Sequence, residues 1–350
     1  MELSNLLQLT IDKKASDLHL LPSYFPTIRV NGELFQLTTL ELLTPERSEK
    51  MLMSILSEEQ KEILVVNREI DLAYKIKNAR FRVNLYYAQN LLCGSFRSIQ
   101  SRISTLEELF LPALLHQCTD YRQGLVLLTG PTGEGKSTTL ASLVNEINQK
   151  YAKHIITIED PIEYIYPKHK SIISQRELHQ DTHSWTVALK SALREDPDVV
   201  LVGEMRDFET ISLALTAAET GHLVFSTLHT NSAPESIDRI IDAFPPHQQN
   251  QIKNQLAVVL KMVVTQRLIP KQNSLDRIPA VEILLNNSAI SNSIREGKTF
   301  LIANILETTE NEGSILFEKN LLNLYRAGII TKEVAYSYAI RPKEIMRLIK

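Results

Sequence analysis

The chain has 350 residues, 43% hydrophobic and 23% charged, with 38 basic and 41 acidic side chains for a formal net charge of -3. That composition supports a sizeable folded core over two to three domains and excludes disordered and low-complexity classes. Without a cationic excess there is no bulk drive toward nucleic acid, and without an apolar run of 18 residues nothing is expected to span a bilayer.

The pattern begins with an amphipathic helix carrying Leu3, Leu6, Leu7 and Ile11, with no basic flank or apolar stretch of a signal peptide. Ala15–Leu21 and Pro26–Val30 read as strands, and Asn31-Gly32 is a two-residue hairpin signal. One helix is expected from Pro45 to about Leu64, then strands over Glu69–Ile76, Arg80–Tyr87 and Leu92–Ile99. Residues 1–99 therefore form a small α+β domain. A linker over 100–122 should hold two short helical pieces broken near Pro112. Cys93 and Cys118 are the only cysteines, too few for a four-cysteine zinc site.

From Gly124 the pattern alternates. Strands are expected at Leu125–Thr129, His154–Ile158, Val199–Val202 and Leu223–Leu228, with helices at Lys136–Asn148, Ser184–Glu195 and Phe208–Thr220. Short apolar strands alternating with helices imply a mostly parallel sheet. After about residue 232 the chain reads as mainly helical, interrupted by one strand at Ile278–Leu284, with Gly328, Thr331 and Pro342 marking late helix boundaries. The domains predicted are 1–99, the linker 100–122, an α/β core over 123–285 and a helical region over 286–350.

Glycine is scarce, at 11 residues, yet Gly130, Gly133 and Gly135 fall within six positions. The segment Gly130-Pro131-Thr132-Gly133-Glu134-Gly135-Lys136-Ser137, followed by Thr138, fits G-x-x-x-x-G-K-[ST] between a strand and a helix. Such a loop turns its backbone N–H groups onto phosphate oxygens beside a helix N-terminus. Lys136 would reach the β- and γ-phosphates of ATP, and Ser137 would bind Mg²⁺. The Glu134 side chain is expected to project to solvent. Pointing inward, it would instead lower nucleotide affinity.

Two acidic clusters follow predicted strands: Glu159, Asp160 and Glu163 in the first, Glu204 after Gly203 in the second. Ligands of open α/β sheets sit at the carboxyl ends of strands. Glu204 is assigned as the group that activates water, and Mg²⁺ is assigned to Ser137 plus waters near Glu159 and Asp160. Glu163 is a further catalytic candidate. His222 and His229 flank the strand at 223–228, and His229 is placed to sense a γ-phosphate or position water.

Taken in order, the loop, the Glu159–Glu163 segment, Gly203-Glu204 and the His222/His229 pair resemble the Walker A, Asp box, Walker B and His box of the secretion-superfamily ATPases. These serve type II secretion, type IV pili and related machines. The resemblance runs over nearly the whole chain, from Lys14–Leu20 through Arg80–Asn84, and is densest between Ser191 and Asp207. It implies a PAS-like N-terminal domain followed by a RecA-like P-loop ATPase domain, a cytoplasmic homohexamer at the inner membrane face, and N-domain arginines near the phosphates. Arg80, Arg82 and Arg97 are the candidates; a solvated strand face is the alternative reading.

Lacking an extra N-terminal domain and a four-cysteine motif, the chain resembles the retraction branch of the family. The resemblance thus implies a motor for type IV pilus retraction acting on an inner-membrane platform protein, with other pilus ATPases as further partners. The late motif of that branch reads Ala289-Ile290-Ser291-Asn292-Ser293-Ile294-Arg295 here, with serines in place of an arginine and a leucine. Alternatives are an accessory retraction paralogue, a related secretion ATPase and, against the charge balance, a nucleic-acid translocase.

Overall fold

A computed structural model of the chain describes residues 2–30, 32–76, 79–99, 102–272, 274 and 276–349. The chain falls into two compact units, Met1–Arg102 with Glu163–Ile165, and Ile103–Ile162 with Tyr166–Lys350.

The first unit runs α1 (Leu3–Asp12), β1 (Asp17–Leu20), β2 (Thr27–Val30), β3 (Glu33–Gln36), α2 (Pro45–Met53), α3 (Glu58–Asn67), β4 (Glu69–Ile76), β5 (Ala79–Ala88) and β6 (Leu91–Ile99). Its antiparallel strands form one sheet in the order β3-β2-β1-β6-β5-β4. The β2–β3 hairpin pairs Val30 with Glu33. Of the predicted Asn31-Gly32 turn, Asn31 lies outside the described residues, and Gly32 has φ +89°. One sheet face packs on the helices around Leu6, Leu7, Leu18, Leu52, Phe81 and Phe96. Because Phe81, Val83 and Leu85 point into this core, Arg80 and Arg82 share the other face.

The single helix expected from Pro45 to Leu64 is two helices. Ser57 starts the second with a capping box: its Oγ accepts from the Gln60 N–H, and Gln60 Oε1 accepts from the Ser57 N–H. The apolar spacing continues across the break, but the cap ends the helix before it.

In the second unit the linker also differs from expectation. Among the described residues it is helical only after Pro112, in a 3-10 turn (Ala113–His116) leading into α4 (Gln117–Asp120). Gln100 and Ser101 lie outside the described residues. There follow β7 (Gly124–Thr129), α5 (Lys136–Lys150), β8 (His154–Glu159), β9 (Ile172–Glu177), α6 (Trp185–Ala192), β10 (Val199–Val202), α7 (Phe208–Glu219), β11 (Leu223–Leu228), α8 (Ala233–Asp242), α9 (Pro246–Val259), β12 (Leu260–Pro270) and β13 (Arg277–Leu285). The chain ends in α10 (Ser288–Arg295), α11 (Ile302–Thr308), α12 (Phe317–Arg326), α13 (Lys332–Tyr338) and α14 (Pro342–Leu348).

The sheet order is β13-β12-β7-β11-β10-β8-β9, parallel throughout except between β12 and β13. One sheet face packs on α6 to α9 and the other on α5. Strands β9 and β12 are not among the elements expected from the sequence. In β12, Leu260, Met262, Val263, Val264 and Ile269 are all buried, so the strand shows no alternation and reads as helix. The late helices α12 to α14 share a separate small core around Phe317, Leu321 and Ile345.

Candidate functional site

Strand β7 is buried along its whole length and delivers the chain into the glycine-rich loop, and α5 begins at Lys136. Gly130 has φ +138°, and a Cβ there would lie 2.3 Å from the Gln266 carbonyl oxygen. Both the backbone conformation and the closeness of β12 therefore require glycine. Gly135 is the N-cap of α5 in the left-handed region, and no side chain caps this helix end. The helix end that would face phosphate thus carries backbone N–H groups and the positive end of the dipole. The Lys136 ammonium is buried and donates to the carbonyls of Gly130 at 2.6 Å and Pro131 at 2.8 Å, which holds it over the loop.

Strand β12 supports the loop from outside. Gln266 Nε2 donates to the Glu134 carbonyl at 2.8 Å, and Thr139 Oγ1 donates to Gln266 Oε1 at 2.8 Å. The Glu134 carboxylate accepts from the Leu268 N–H. This corrects the expectation that Glu134 projects to solvent: an N–H of the neighbouring strand is within reach and takes the carboxylate. Glu134→Ala is expected to lower stability by about 1 kcal/mol, by stranding the Leu268 donor, with little change in ATP affinity. Urea unfolding and nucleotide titration on the same sample check both. Gln266 was not a sequence candidate; a glutamine within an apolar run was the available signal, because buried polar side chains have partners.

Glu204 follows β10 across Gly203. The Gly203 N–H donates to the Ile158 carbonyl at 2.8 Å, and its own carbonyl accepts from Thr227 Oγ1 at 2.6 Å. A Cβ on Gly203 would come within 3.1 Å of Trp185. The turn that carries Glu204 is thereby fixed to both neighbouring strands. The carboxylate lies 2.5 Å from Arg206 Nε and 3.5 Å from His229 Nε2. The other ring nitrogen of His229 lies 3.4 Å from Thr132 Oγ1 in the glycine-rich loop. A polar chain Thr132–His229–Glu204–Arg206 thus joins the loop to the acidic strand end. Its exposed members are Thr132, His229 and Arg206, while Glu204 is largely covered. Such a carboxylate, held by a cation and an imidazole, can accept a proton from water beside a bound phosphate.

The remaining candidates are more dispersed. Counting from β7, His229 follows the first strand over, Glu204 the second, and Glu159 the third. At about 4.8 Å per strand, Glu159 sits about 14 Å to the side of the loop strand. Its carboxylate accepts from Thr157 Oγ1 at 2.6 Å and Gln175 Nε2 at 3.3 Å, and Asp160 beside it is exposed. Ser137, in the first turn of α5, and these carboxylates are all oxygen donors, the type Mg²⁺ takes while keeping waters. Glu163 is exposed and clusters with the first unit.

On that unit, Arg97 faces Arg82 across β5 and β6. Arg97 Nε donates to Asp17 Oδ1 at 2.9 Å, and Arg82 Nε lies 3.9 Å from Asp71. His222 acts locally. Its Nδ1 lies 3.0 Å from the Ala217 carbonyl and 3.3 Å from Thr220 Oγ1, closing the C-terminus of α7. In the late motif, Ser291 Oγ donates to the Ala257 carbonyl at 2.9 Å, tying α10 to α9, while Arg295 donates to Asn292 at 2.9 Å on the exposed side.

Comparison with known proteins matches residues 3–337 to the family described as type II/IV secretion system protein. The chain is 41% identical over 344 residues to the type IV pilus retraction ATPase PilT of Pseudomonas aeruginosa, covering 98% of this chain and 99% of that protein. It is 45% identical over 311 residues to a twitching motility protein of Neisseria gonorrhoeae, covering 89% of this chain and 83% of that one. Among solved structures, the pilus retraction motor PilT with bound ADP superposes with a TM-score of 0.94 at 42% identity, covering 99% of both chains.

Proposed function

The chain belongs to the type II/IV secretion system protein family, and on that premise we propose that it is an ATP-hydrolysing motor that powers type IV pilus retraction and twitching motility. The observation that carries this reading is the end-to-end likeness to an ADP-bound retraction motor. The convergence of Thr132, His229 and Glu204 at the glycine-rich loop adds to it.

In this reading Gly130 to Thr138 cradle the phosphates and Lys136 neutralises them. Glu204 orients and deprotonates the attacking water, and His229 links that event to the loop through Thr132. Magnesium would be held by Ser137 and, through water, by Glu159 and Asp160, where it neutralises phosphate charge. Arg80, Arg82 and Arg97 would complete the nucleotide site, Glu163 would assist it, and His222 would shape the strand that ends at His229. The working form would be a homohexamer seated against an inner-membrane platform protein from the cytoplasmic side, with other pilus ATPases as co-workers. No helix among the described residues is long and apolar enough to cross a membrane. The serines at 291 and 293 support a second reading, an accessory motor of the same retraction system, because Ser291 ties α10 to α9 where the retraction branch carries an arginine.

Deleting the gene and counting surface pili tests the proposal. Hyperpiliated cells that no longer twitch are expected; bald cells would assign the chain to assembly instead. An ATPase rate stimulated by DNA would overturn the pilus assignment in favour of a translocase.

A further inference from the structure

Three consecutive residues of β12 reach three parts of the second unit. Gln266 and Leu268 hold the glycine-rich loop through Glu134 and Thr139. Alternation along the strand sends Arg267 to the opposite side. There its Nη2 donates to Asn231 Oδ1 at 3.1 Å, and its Nη1 donates to the Tyr338 carbonyl, at the end of α13, at 3.4 Å. Its guanidinium carbon lies 5.8 Å from the centre of the Phe317 ring of α12. The Arg267 Nε is buried and has no hydrogen-bond partner among the described residues. A buried donor left unpaired on a cation is costly. The guanidinium therefore sits where Asn231 and Tyr338 fix it, and not where all its donors are satisfied.

Asn231 is two residues beyond His229, in the short segment between β11 and α8. Side chains hold that segment. The Asn231 N–H donates to Glu235 at 2.8 Å and Thr230 Oγ1 meets Ser236 Oγ at 2.6 Å, and where the segment enters α8 the Ala233 N–H donates to Glu282 Oε1 at 3.0 Å. Glu282 is fully buried and burial pushes its carboxyl up, against the pull of Arg341 beside it. Arg341 bonds Glu282 at 3.0 Å and the equally buried Glu318 at 2.8 Å. The segment that follows His229 is thus tied to the late helices twice, once through Arg267 and once through Glu282.

We propose that Arg267 is a positioning residue for ATP hydrolysis, which fixes the His229 segment relative to the glycine-rich loop and joins both to the late helices. The inference rests on the ATPase reading above. It gives the late helices a route to the site: movement of Tyr338 shifts Arg267, and Arg267 shifts Asn231 and the histidine before it.

Arg267→Met, Asn231→Ala and Asn231→Asp test this in the full chain, with kcat, ATP-analogue affinity and melting temperature measured for each. Arg267→Met and Asn231→Ala should each lower kcat by roughly tenfold to a hundredfold, as small misplacements of a reacting group do, while affinity stays near wild type. The double variant should be no slower than the worse single, the mark of residues acting as one unit. Asn231→Asp, which keeps the acceptor for Arg267, should recover most of the loss. Wild-type kcat in both truncations, losses that multiply, or affinity falling in step with kcat would overturn the inference. Should Arg267→Met fail to fold, the Asn231 pair decides alone. A wild-type chain with no ATPase activity would overturn the ATPase reading and this inference together, so the two failures are distinguishable.

Discussion

Lys136→Ala is expected to abolish ATP turnover and to raise the Kd for ATP by on the order of tenfold to a hundredfold, the worth of one charge-assisted hydrogen bond. The ammonium is buried and held over the loop by the Gly130 and Pro131 carbonyls. Truncation removes a positive charge from a place where the helix end and the loop already favour anions. Fluorescent ATP binding alongside a phosphate-release assay measures both losses. The melting temperature of the nucleotide-free chain should stay near wild type, because the loop is held by Gln266 and Glu134 as well. Wild-type turnover in this variant would remove the loop as the site of hydrolysis.

Glu204→Gln should leave ATP binding largely intact while kcat drops by roughly a hundredfold to ten-thousandfold, the range for loss of a general base. The amide keeps the shape of the carboxylate and can still contact Arg206 and His229. Only the negative charge and proton-accepting power are lost. Single-turnover measurements with saturating ATP separate the chemical step from binding. A chemical step as fast as wild type would pass the role to another carboxylate, with Glu159, at the end of the adjacent strand β8, the next to test.

Local structure that depends on chain order alone is legible in the sequence. The loop needs glycines and lysine at fixed spacing, and the β2–β3 hairpin pairs Val30 with Glu33 across a short connection; both can be read without knowing what packs around them. Parallel strands β7, β8, β10 and β11 were legible because each is a short apolar run bounded by turn residues. What stayed hidden depends on partners distant in sequence. Strand β12 is buried on both faces and carries no alternation, so nothing local separates it from the helix before it. With β12 unseen, Gln266, Arg267 and Leu268 had no visible connection to a loop more than a hundred residues earlier. Glu134 was misread for the same reason: its acceptor role needs the Leu268 N–H. His222 is a candidate only through the resemblance to a His box, and the contact of its ring with the Ala217 carbonyl, five residues upstream, is one that the motif does not show.

The sheet order has a consequence for how the protein is made. Strand β7 lies between β11 and β12, and both leave the ribosome about a hundred residues or more after it. A nascent chain that has just exposed Lys136 therefore holds a loop with no strand on either side of it. Its Gly130 has no Gln266 carbonyl to pack against until residue 266 emerges. Capacity to bind nucleotide should then appear late and abruptly during synthesis, and truncated chains ending before β12 would not compete with finished ones for ATP.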